Sequence, residues 1–522
     1  MFTVYPERRK YQVSGTQTVL KISSSETMVS MMKSDPKILV VGAGIAGIAA
    51  ATKLREFGFS DVTLLEATGQ TGGRIAKSHL GKSWIDTGAQ IIHGATDKNP
   101  VYCLCKTHGF LDEVTKEEGS WAIFNNKGNK VDPEFAEQVY EAGQTIMRQM
   151  SYDNIKKSIG AHFAEKTQEL LSAHEESPNV EQARGILSMV GKDFLIDIGA
   201  TDLNDVSQAS WKYMPKDIGE DLNIGGNMFR LVEKLLEDFP KECVVLNKAV
   251  SRIEWDRDDT QYPVRVVLGS EKMEADHVVV TMSLGCLKAG ATTLFSPQLP
   301  QDKVQVINDL QFGTITKIFL EYEEAFWESS VSEISLVWED ESCEHIFTER
   351  NNWLKYLHDF TVMRPQEKFG NVLIGWCAGD VAKLVEEMSE EKLSAAVTDH
   401  LRTFTGNSSL PAPKTVLVTK WQSNPYTMGS YSFIPVGIDA EVMDTLAQPL
   451  SSGRDTGPEL QVLFAGEGTI KSMYSTVQGA LLSGQREANR LAQHYKKTQL
   501  PNPTCSITPQ DPSPQQMVTH IM

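Results

Sequence analysis

The chain has 522 residues, of which 41% are hydrophobic and 23% are charged, a composition that supports two or three packed domains. Its formal net charge of −18 argues against a nucleic-acid partner, because phosphate binding requires a basic face. The 7 cysteines include no Cys-x-x-Cys pair, so reduced thiols are predicted rather than disulfides or a metal site. No apolar run reaches the length of a membrane span.

Both ends of the chain are predicted to be disordered. Residues 1–35 are rich in serine and threonine and lack the apolar core of a signal peptide. Residues 496–522 are rich in proline, serine and glutamine and have little apolar content. The C-terminus has no Ser-Lys-Leu-type ending, which favours a cytoplasmic over a peroxisomal location.

A buried strand is predicted over 37–41, and it runs directly into Gly-x-Gly-x-x-Gly and a helix of small residues. Gly42 allows a tight turn, Gly44 lets a pyrophosphate approach the backbone, and Gly47 lets the helix pack on the sheet. A second predicted strand ends at Glu66, about 20 residues after the last glycine, where a carboxylate takes ribose hydroxyls. The pattern predicts dinucleotide binding; the alternative is a glycine-rich turn before a packed helix.

A second glycine motif, Gly72-Gly73-Arg74, follows closely. The planar fork of an arginine suits a phosphate better than the point charge of a lysine does. A nicotinamide enzyme has no need of this second clamp, so FAD is favoured over NAD.

The middle of the chain is predicted to alternate between helical and β-rich regions. Asp132 and Pro133 form a clear helix start, and an apolar stripe of helical spacing follows from Phe135 to Met150. Helical sequence continues to about residue 195. Predicted β-rich runs follow at 243–255, 264–268 and 274–281. A mixed region of strands and helices is predicted at 317–435, and a last strand with its helix at 461–495.

Several motifs further along the chain point to a known family. They stand at 92–94, 275–281, 312–321, 336–340, 424–432, 464–467 and 474–488. Together with the two glycine motifs, they make residues 36–495 resemble the FAD-dependent polyamine oxidases. The similarity is to the branch that contains the vertebrate spermine oxidases and the peroxisomal N1-acetylpolyamine oxidases.

The resemblance implies an α/β fold of the amine-oxidase type. A Rossmann-like FAD-binding domain is expected to be discontinuous, with an interleaved α+β substrate-binding domain. The FAD-binding domain is predicted at 36–100, 220–310 and 440–495, and the substrate-binding domain at 101–219 and 311–439.

The chemistry implied by the resemblance is hydride transfer to FAD N5 from a carbon beside a secondary amine of spermine or an N1-acetylated polyamine. Hydrolysis of the imine and reoxidation by O2, which gives hydrogen peroxide, would follow. Lys317 is the implied catalytic lysine that holds a water on N5. His93 is expected to act in catalysis by bonding a substrate nitrogen. Taken alone, Lys317 also fits a surface lysine of a strand, and His93 a loop histidine.

Two aromatic residues, Tyr431 and Trp421, are candidates for substrate binding beside the flavin, where cation–π attraction favours an ammonium. Core packing is the alternative for each. The residues that the glycine motifs and the resemblance assign to the cofactor are Gly42, Gly44, Ala46, Gly47, Glu66, Gly73, Arg74, Gly88, Gln90, Ile91, Val250, Glu467, Thr476 and Val477.

Some positions depart from what is usual in the family. Ser430 stands where the monoamine oxidases carry a cysteine bound to the flavin, so non-covalent FAD is predicted. Gln90 and Gln478 replace residues that are usual in relatives, and Lys212 is expected to repel one end of a polyamine. The alternatives are a flavin oxidase of another amine, including methyl-lysine, and a flavin-binding scaffold that has lost catalysis.

Overall fold

The computed structural model describes residues 35–111, 119–213, 219–258, 261–339, 352–454 and 457–496. These residues belong to one compact unit. Apart from Asp35 and Lys496, the two ends that are predicted to be disordered lie outside the described residues. Among the helices of the described ranges, none combines the length and the apolar character that crossing a membrane requires.

The strands, in chain order, are β1 (Ile38–Val41), β2 (Val62–Leu65), β3 (Lys77–Leu80), β4 (Ser83–Asp86), β5 (Ile91–Ile92), β6 (Ser120–Asn125), β7 (Leu222–Asn223), β8 (Val244–Val245), β9 (Arg252–Glu254), β10 (Val264–Leu268), β11 (Glu271–Ala275), β12 (His277–Val280), β13 (Phe295–Ser296), β14 (Gln311–Gly313), β15 (Ile315–Tyr322), β16 (Val331–Val337), β17 (Asp359–Val362), β18 (Asn371–Ala378), β19 (Thr415–Val418), β20 (Tyr431–Phe433) and β21 (Val462–Phe464). The α-helices are α1 (Ile45–Glu56), α2 (Pro100–Thr107), α3 (Pro133–Arg148), α4 (Ile159–Ser172), α5 (Val180–Ile198), α6 (Met228–Leu235), α7 (Leu284–Gly290), α8 (Gln301–Asp309), α9 (Gln366–Phe369), α10 (Gly379–Glu386), α11 (Glu390–Thr405), α12 (Val442–Ala447) and α13 (Val477–His494).

A parallel sheet of order β21-β12-β1-β2-β8 forms the first core. The predicted first strand, β1, lies at its centre and pairs in parallel with β12 and β2. All four residues of β1 are buried, because Ile38 and Val40 pack in a core with α1, while Leu39 and Val41 pack in a second core with β10 and α7. This explains the unbroken apolar run in the sequence. The predicted strand–glycine turn–helix unit is confirmed, and so is the α/β fold.

A mostly antiparallel sheet of order β19-β15-β18-β17-β16-β6 forms the second core. Helix α5 packs against β16 and β18 of this sheet. Strands of the first sheet come from the segments predicted for FAD, and strands of the second come from those predicted for the substrate. The domain boundaries themselves stay a prediction, since the described residues belong to one unit.

Helix α3 begins as the sequence indicates but buries a slightly different face. Asp132 caps it, with Oδ1 accepting from two backbone N–H groups of the first turn at 2.9 and 3.1 Å. The predicted apolar stripe is displaced by one residue along most of its length, because Ala136, Gly143 and Met147 are the buried positions. Gly143 lies against α5, where an added Cβ would approach Val190 to 3.0 Å.

Candidate active site

A cavity of about 1820 Å³ is lined by the two glycine motifs, by β15 and by α5. Sites for one small ligand usually have about 300–1,000 Å³. The cavity therefore has room for a dinucleotide together with a second, smaller molecule.

The first glycine motif contributes to one wall of the cavity, and each of its three positions requires glycine for a different physical reason. Gly42 has a φ of +103°, and an added Cβ would approach Thr281 Oγ1 to 2.7 Å. An added Cβ on Gly44 would meet nothing within 4 Å, so the space beside this residue is open to a ligand. An added Cβ on Gly47 would lie 1.9 Å from the carbonyl oxygen of Gly42. Gly47 thus serves packing and, unlike the other two, does not line the cavity.

The second glycine motif lies directly against the first. The N–H of Gly72 donates to the carbonyl oxygen of Ala43 at 2.7 Å, and Gly73 lies so close to Gly44 that an added Cβ would approach its Cα to 3.2 Å. The two motifs, which are separate in the sequence, therefore form one continuous backbone surface.

Glu66 lies at the cavity wall and is 8% exposed. Its Oε2 accepts from the backbone N–H of Ala43 at 2.9 Å, and its Oε1 accepts from the N–H and the hydroxyl of Thr68, both at 2.9 Å. Carboxylate oxygens have more than one acceptor position each, so this carboxylate can still receive a ribose hydroxyl.

Arg74 and Glu467 form an ion pair in the cavity wall. Arg74 Nη1 donates to Glu467 Oε1 at 2.9 Å and to the carbonyl oxygen of Ser430 at 2.7 Å. Glu467 Oε2 also accepts from the hydroxyl of Ser432 at 2.5 Å. Both charged side chains line the cavity, and their predicted contacts with the cofactor stay a prediction.

The N-terminus of α13 opens into the cavity. Thr476 caps this helix, with Oγ1 accepting from the N–H of Gly479 at 3.0 Å, and Val477 is its first residue. A helix N-terminus offers backbone donors and a partial positive charge to an electron-rich ligand. The remaining residues that the sequence assigns to the cofactor also line the cavity, and they are Ala46, Gly88, Gln90, Ile91 and Val250.

These features fit a flavin dinucleotide, because an open glycine backbone, a ribose-side carboxylate and a helix N-terminus surround one large cavity. The comparison with protein families agrees, since residues 45–492 match the family model described as "Flavin containing amine oxidoreductase". The chain belongs to this family. It is therefore an FAD-dependent amine oxidase, and the predicted cofactor is confirmed.

Relatives of this amine oxidase support the narrower resemblance. It is 35% identical over 487 residues to the bovine peroxisomal N(1)-acetyl-spermine/spermidine oxidase, covering 87% of this chain and 94% of the relative. It is 29% identical over 543 residues to probable polyamine oxidase 5 of Arabidopsis thaliana, covering 89% and 99%. Cyclohexylamine oxidase from Brevibacterium oxydans IH-35A has the same fold, with a TM-score of 0.62 at 20% identity, covering 88% and 100%. The predicted membership in the polyamine oxidase family is confirmed.

Lys317 of this amine oxidase is buried in β15 and is 2% exposed, so it is not a surface lysine. Its Nζ donates to the carbonyl oxygens of Asp86 at 3.1 Å and Gly88 at 2.7 Å, and to Oε1 of Gln90. The same Nζ lies 4.8 Å from the centre of the Trp376 ring. The lysine therefore reaches across from the second sheet to the loop that follows β4.

Burial and a neighbouring acid act in opposite directions on the pKa of Lys317. Burial lowers the pKa of Lys317 to about 7, although the negative charge of Asp86 opposes the shift. Burial likewise raises the pKa of Asp86 to about 6, against the attraction of Lys317. A lysine of this kind changes its charge near neutral pH and can take part in proton movement.

His93 faces the cavity, and its ring is held by an acid that the sequence analysis did not identify. Its Nδ1 lies 2.7 Å from Oδ2 of Asp221, whose Oδ1 accepts from the N–H of Gly94 at 3.0 Å. Burial alone lowers the pKa of His93, but the hydrogen bond and charge of Asp221 and the charge of Asp197 raise it above its usual value. Within the described ranges Nε2 has no hydrogen-bond partner, so it is available to a ligand.

The two aromatic candidates also lie in the cavity wall, and both are half-buried. The hydroxyl of Tyr431 donates to the carbonyl oxygen of Ile196 in α5 at 2.7 Å, which fixes its ring. Trp421 is carried by a loop tied to Glu386, whose carboxylate accepts from the next two backbone N–H groups at 2.9 and 2.8 Å. Their contacts with a substrate stay a prediction.

Besides Glu66 and Glu467, five carboxylates line the same cavity, and none of these five is among the site residues predicted from the sequence. They are Asp193, Asp197, Asp221, Glu333 and Asp359. The sequence could have indicated one of them, because Asp197 interrupts an apolar run of a predicted helix and stands four residues after Asp193. Both therefore project from one face of α5, about 6 Å apart along its axis.

Asp197, Glu333 and Asp359 form no ion pair with any residue of the described part of the chain. Burial and the neighbouring Asp193 raise the pKa of Asp197 to about 7. Burial and the mutual repulsion within the group also raise the pKa values of Glu333 and Asp359. A cation in the cavity would relieve this repulsion.

Lys212 is not part of the cavity wall that these acids line. Its Nζ lies 3.4 Å from Asp439 Oδ2 and 5.0 Å from the centre of the Tyr213 ring, and the side chain is not part of the cavity wall. The prediction that Lys212 repels a polyamine end is therefore wrong, because Lys212 lies outside the cavity wall and forms an ion pair with Asp439. Gln478 likewise lies outside the cavity lining.

We expect FAD to leave the protein on denaturation alone. The position of the covalent cysteine in the monoamine oxidases is Ser430 here, which is buried and whose Oγ accepts from the N–H of Ile315 at 2.9 Å. A serine hydroxyl forms no thioether with the flavin. Acid precipitation of the holoprotein should leave the yellow flavin in the supernatant, and flavin that stays with the precipitate would contradict this.

Proposed function

We propose that this amine oxidase is a polyamine oxidase that takes a hydride from a carbon beside a secondary amine of spermine or an N1-acetylated polyamine. In this proposal FAD accepts the hydride at N5, the substrate imine is hydrolysed, and O2 restores the flavin with release of hydrogen peroxide. The names of its relatives and the charges that line the cavity support the proposal.

The observation that carries the proposal is an acidic group in a cavity that basic residues also line. Asp193, Glu333 and Asp359 form the acidic group, and Lys317 and His93 are basic residues of the same cavity wall, although His93 is paired with Asp221. Only a neutral nitrogen can release a hydride from the neighbouring carbon, yet free amines are mostly protonated at pH 7. A basic wall disfavours the protonated form of a nearby amine, and an acidic wall binds the other, charged nitrogens.

Such a cavity suits a substrate that carries several amines along one chain. Lys317 is proposed as the catalytic residue that holds and moves a proton near the reacting carbon. His93 is proposed to orient the reacting nitrogen through Nε2, because Asp221 already occupies Nδ1. Tyr431 and Trp421 are proposed to contact the apolar methylene segments and the cationic groups of the chain.

A panel of amines tests the proposal by peroxide release. Spermine and N1-acetylspermine should give hydrogen peroxide, whereas benzylamine and a methyl-lysine peptide should give little. Asp359→Asn should raise KM for spermine at least about tenfold, the equivalent of about 1.4 kcal/mol for one lost charged contact. Its matched control is Asp399→Asn, which removes an exposed acid of α11 that pairs with Arg402.

The outcomes separate the proposal from its alternatives. Peroxide from benzylamine or from the methyl-lysine peptide, without any from spermine, would indicate an oxidase of another amine. Bound flavin without peroxide from any of the amines would indicate a scaffold that has lost catalysis. A cytoplasmic location is part of the proposal as well, although the bovine relative is named as peroxisomal.

A further inference from the structure

The donors of Lys317 are already occupied by the protein. An ammonium group has three N–H donors and no acceptor. In this chain all three have protein acceptors, namely the carbonyl oxygens of Asp86 and Gly88 and the amide oxygen of Gln90. The resemblance to the polyamine oxidases implies instead a lysine that donates one of its hydrogen bonds to a water beside the flavin.

The orientation of the Gln90 amide follows from this contact. Because an ammonium can only donate, the oxygen of the carboxamide must face Lys317, and the nitrogen must face the other way. The side chain of Gln90 lines the cavity and is half-buried. Its Nε2 makes no hydrogen bond with the residues that the structure describes.

We propose that Gln90 is a positioning residue that connects Lys317 to the reacting centre, with its amide N–H in place of the water that the family's lysine holds. Its oxygen fixes the ammonium, and its nitrogen presents two donors to a hydrogen-bond acceptor of the bound flavin. This inference deepens the proposed function, but its first test requires neither substrate nor turnover.

The charged surroundings of Lys317 define what a substitution at position 90 should do. The Asp86 carboxyl attracts the lysine without forming an ion pair with it, and Lys368 acts on that carboxyl from α9. The Trp376 ring of β18 covers the ammonium from the sheet side. Removing the Gln90 oxygen therefore takes away one of three acceptors that stabilise the charged form.

Opposite changes at Gln90 should move the pKa of Lys317 in opposite directions. Gln90→Leu should lower it by at least about one unit, and Gln90→Glu should raise it by at least about one unit. The measurement is 15N NMR of lysine-labelled apoprotein, with the signal assigned by its loss in Lys317→Met. In the holoprotein, the pH dependence of the flavin absorbance should move with the same pKa.

The matched control is the same pair of changes at Gln144, which also lines the cavity but donates to the hydroxyl of Tyr140 at 3.2 Å. Gln144→Leu and Gln144→Glu should leave the pKa of Lys317 unchanged. If neither Gln90 variant moves this pKa, or if both move it in the same direction, the inference is overturned. A moved pKa with an unaltered flavin titration would overturn the contact with the flavin.

Discussion

Replacing Lys317 by methionine is expected to slow flavin reduction or reoxidation at least about tenfold, the low end of the cost of a lost proton-transfer group. FAD should stay bound, because the lysine contacts the loop after β4 rather than the glycine motifs. Burial lowers the pKa of Lys317 to about 7, so its loss of a proton should appear as an inflection near that pH. Stopped-flow measurement of both half-reactions against pH should show that this inflection disappears in Lys317→Met.

A second buried lysine provides the matched control. Lys303 is 2% exposed and donates to the carbonyl oxygens of Thr445, Leu446 and Gln448 at 2.7, 2.8 and 2.8 Å. It does not line the cavity. Lys303→Met should lower the free energy of unfolding by about 1–3 kcal/mol through orphaned carbonyl groups, and leave the flavin half-reactions unchanged. Wild-type rates and pH profiles in Lys317→Met would remove the proposed role of Lys317.

Alanine at Gly44 and alanine at Gly47 are expected to fail in different ways. Gly44 has a φ of −74°, which alanine adopts freely, and its added methyl group would meet no protein atom within 4 Å. Gly44→Ala should therefore change the stability of the apoprotein by less than about 1 kcal/mol. It should weaken FAD binding at least about tenfold, because the methyl group occupies the space that the pyrophosphate requires.

Gly47→Ala should instead destabilise the fold itself. Its methyl group would lie 1.9 Å from the carbonyl oxygen of Gly42, and a backbone atom cannot move aside as a flexible side chain can. The expected cost is at least about 2 kcal/mol in the free energy of unfolding of the apoprotein. Urea unfolding of both apoproteins, with FAD titration of each folded variant, separates the two effects. A Gly44→Ala protein that binds FAD like the wild type would contradict the placement of the pyrophosphate.

The sequence predicted well what depends on contiguous residues. The first strand, its glycine turn and α1 are encoded within about 20 neighbouring residues, and so are the cap and the Pro start of α3. These features follow from local backbone geometry and from hydrogen bonds of the first helical turn. The face that α3 buries was predicted less well, because α5, a partner distant in sequence, selects it.

The acidic part of the cavity could not be predicted from local patterns. Its carboxylates come from α5, β16 and β17, and in the sequence each of them reads as an ordinary polar residue of a helix or strand. Likewise, Lys212 stands where the resemblance places a substrate contact, but packing directs it to Asp439. Side-chain direction and burial depend on neighbours that are far away in sequence.

By itself, the sequence determined the cofactor and the family, because short motifs of fixed spacing encode the backbone that binds a dinucleotide. Only the tertiary structure decided how Lys317 is used. Its three acceptors lie 231, 229 and 227 positions away, and folding of the second sheet against the loop after β4 brings them together. The same folding encloses lysine, amide and carboxylates in one cavity, where loss of water shifts the pKa values of Lys317 and Asp197 toward neutral pH.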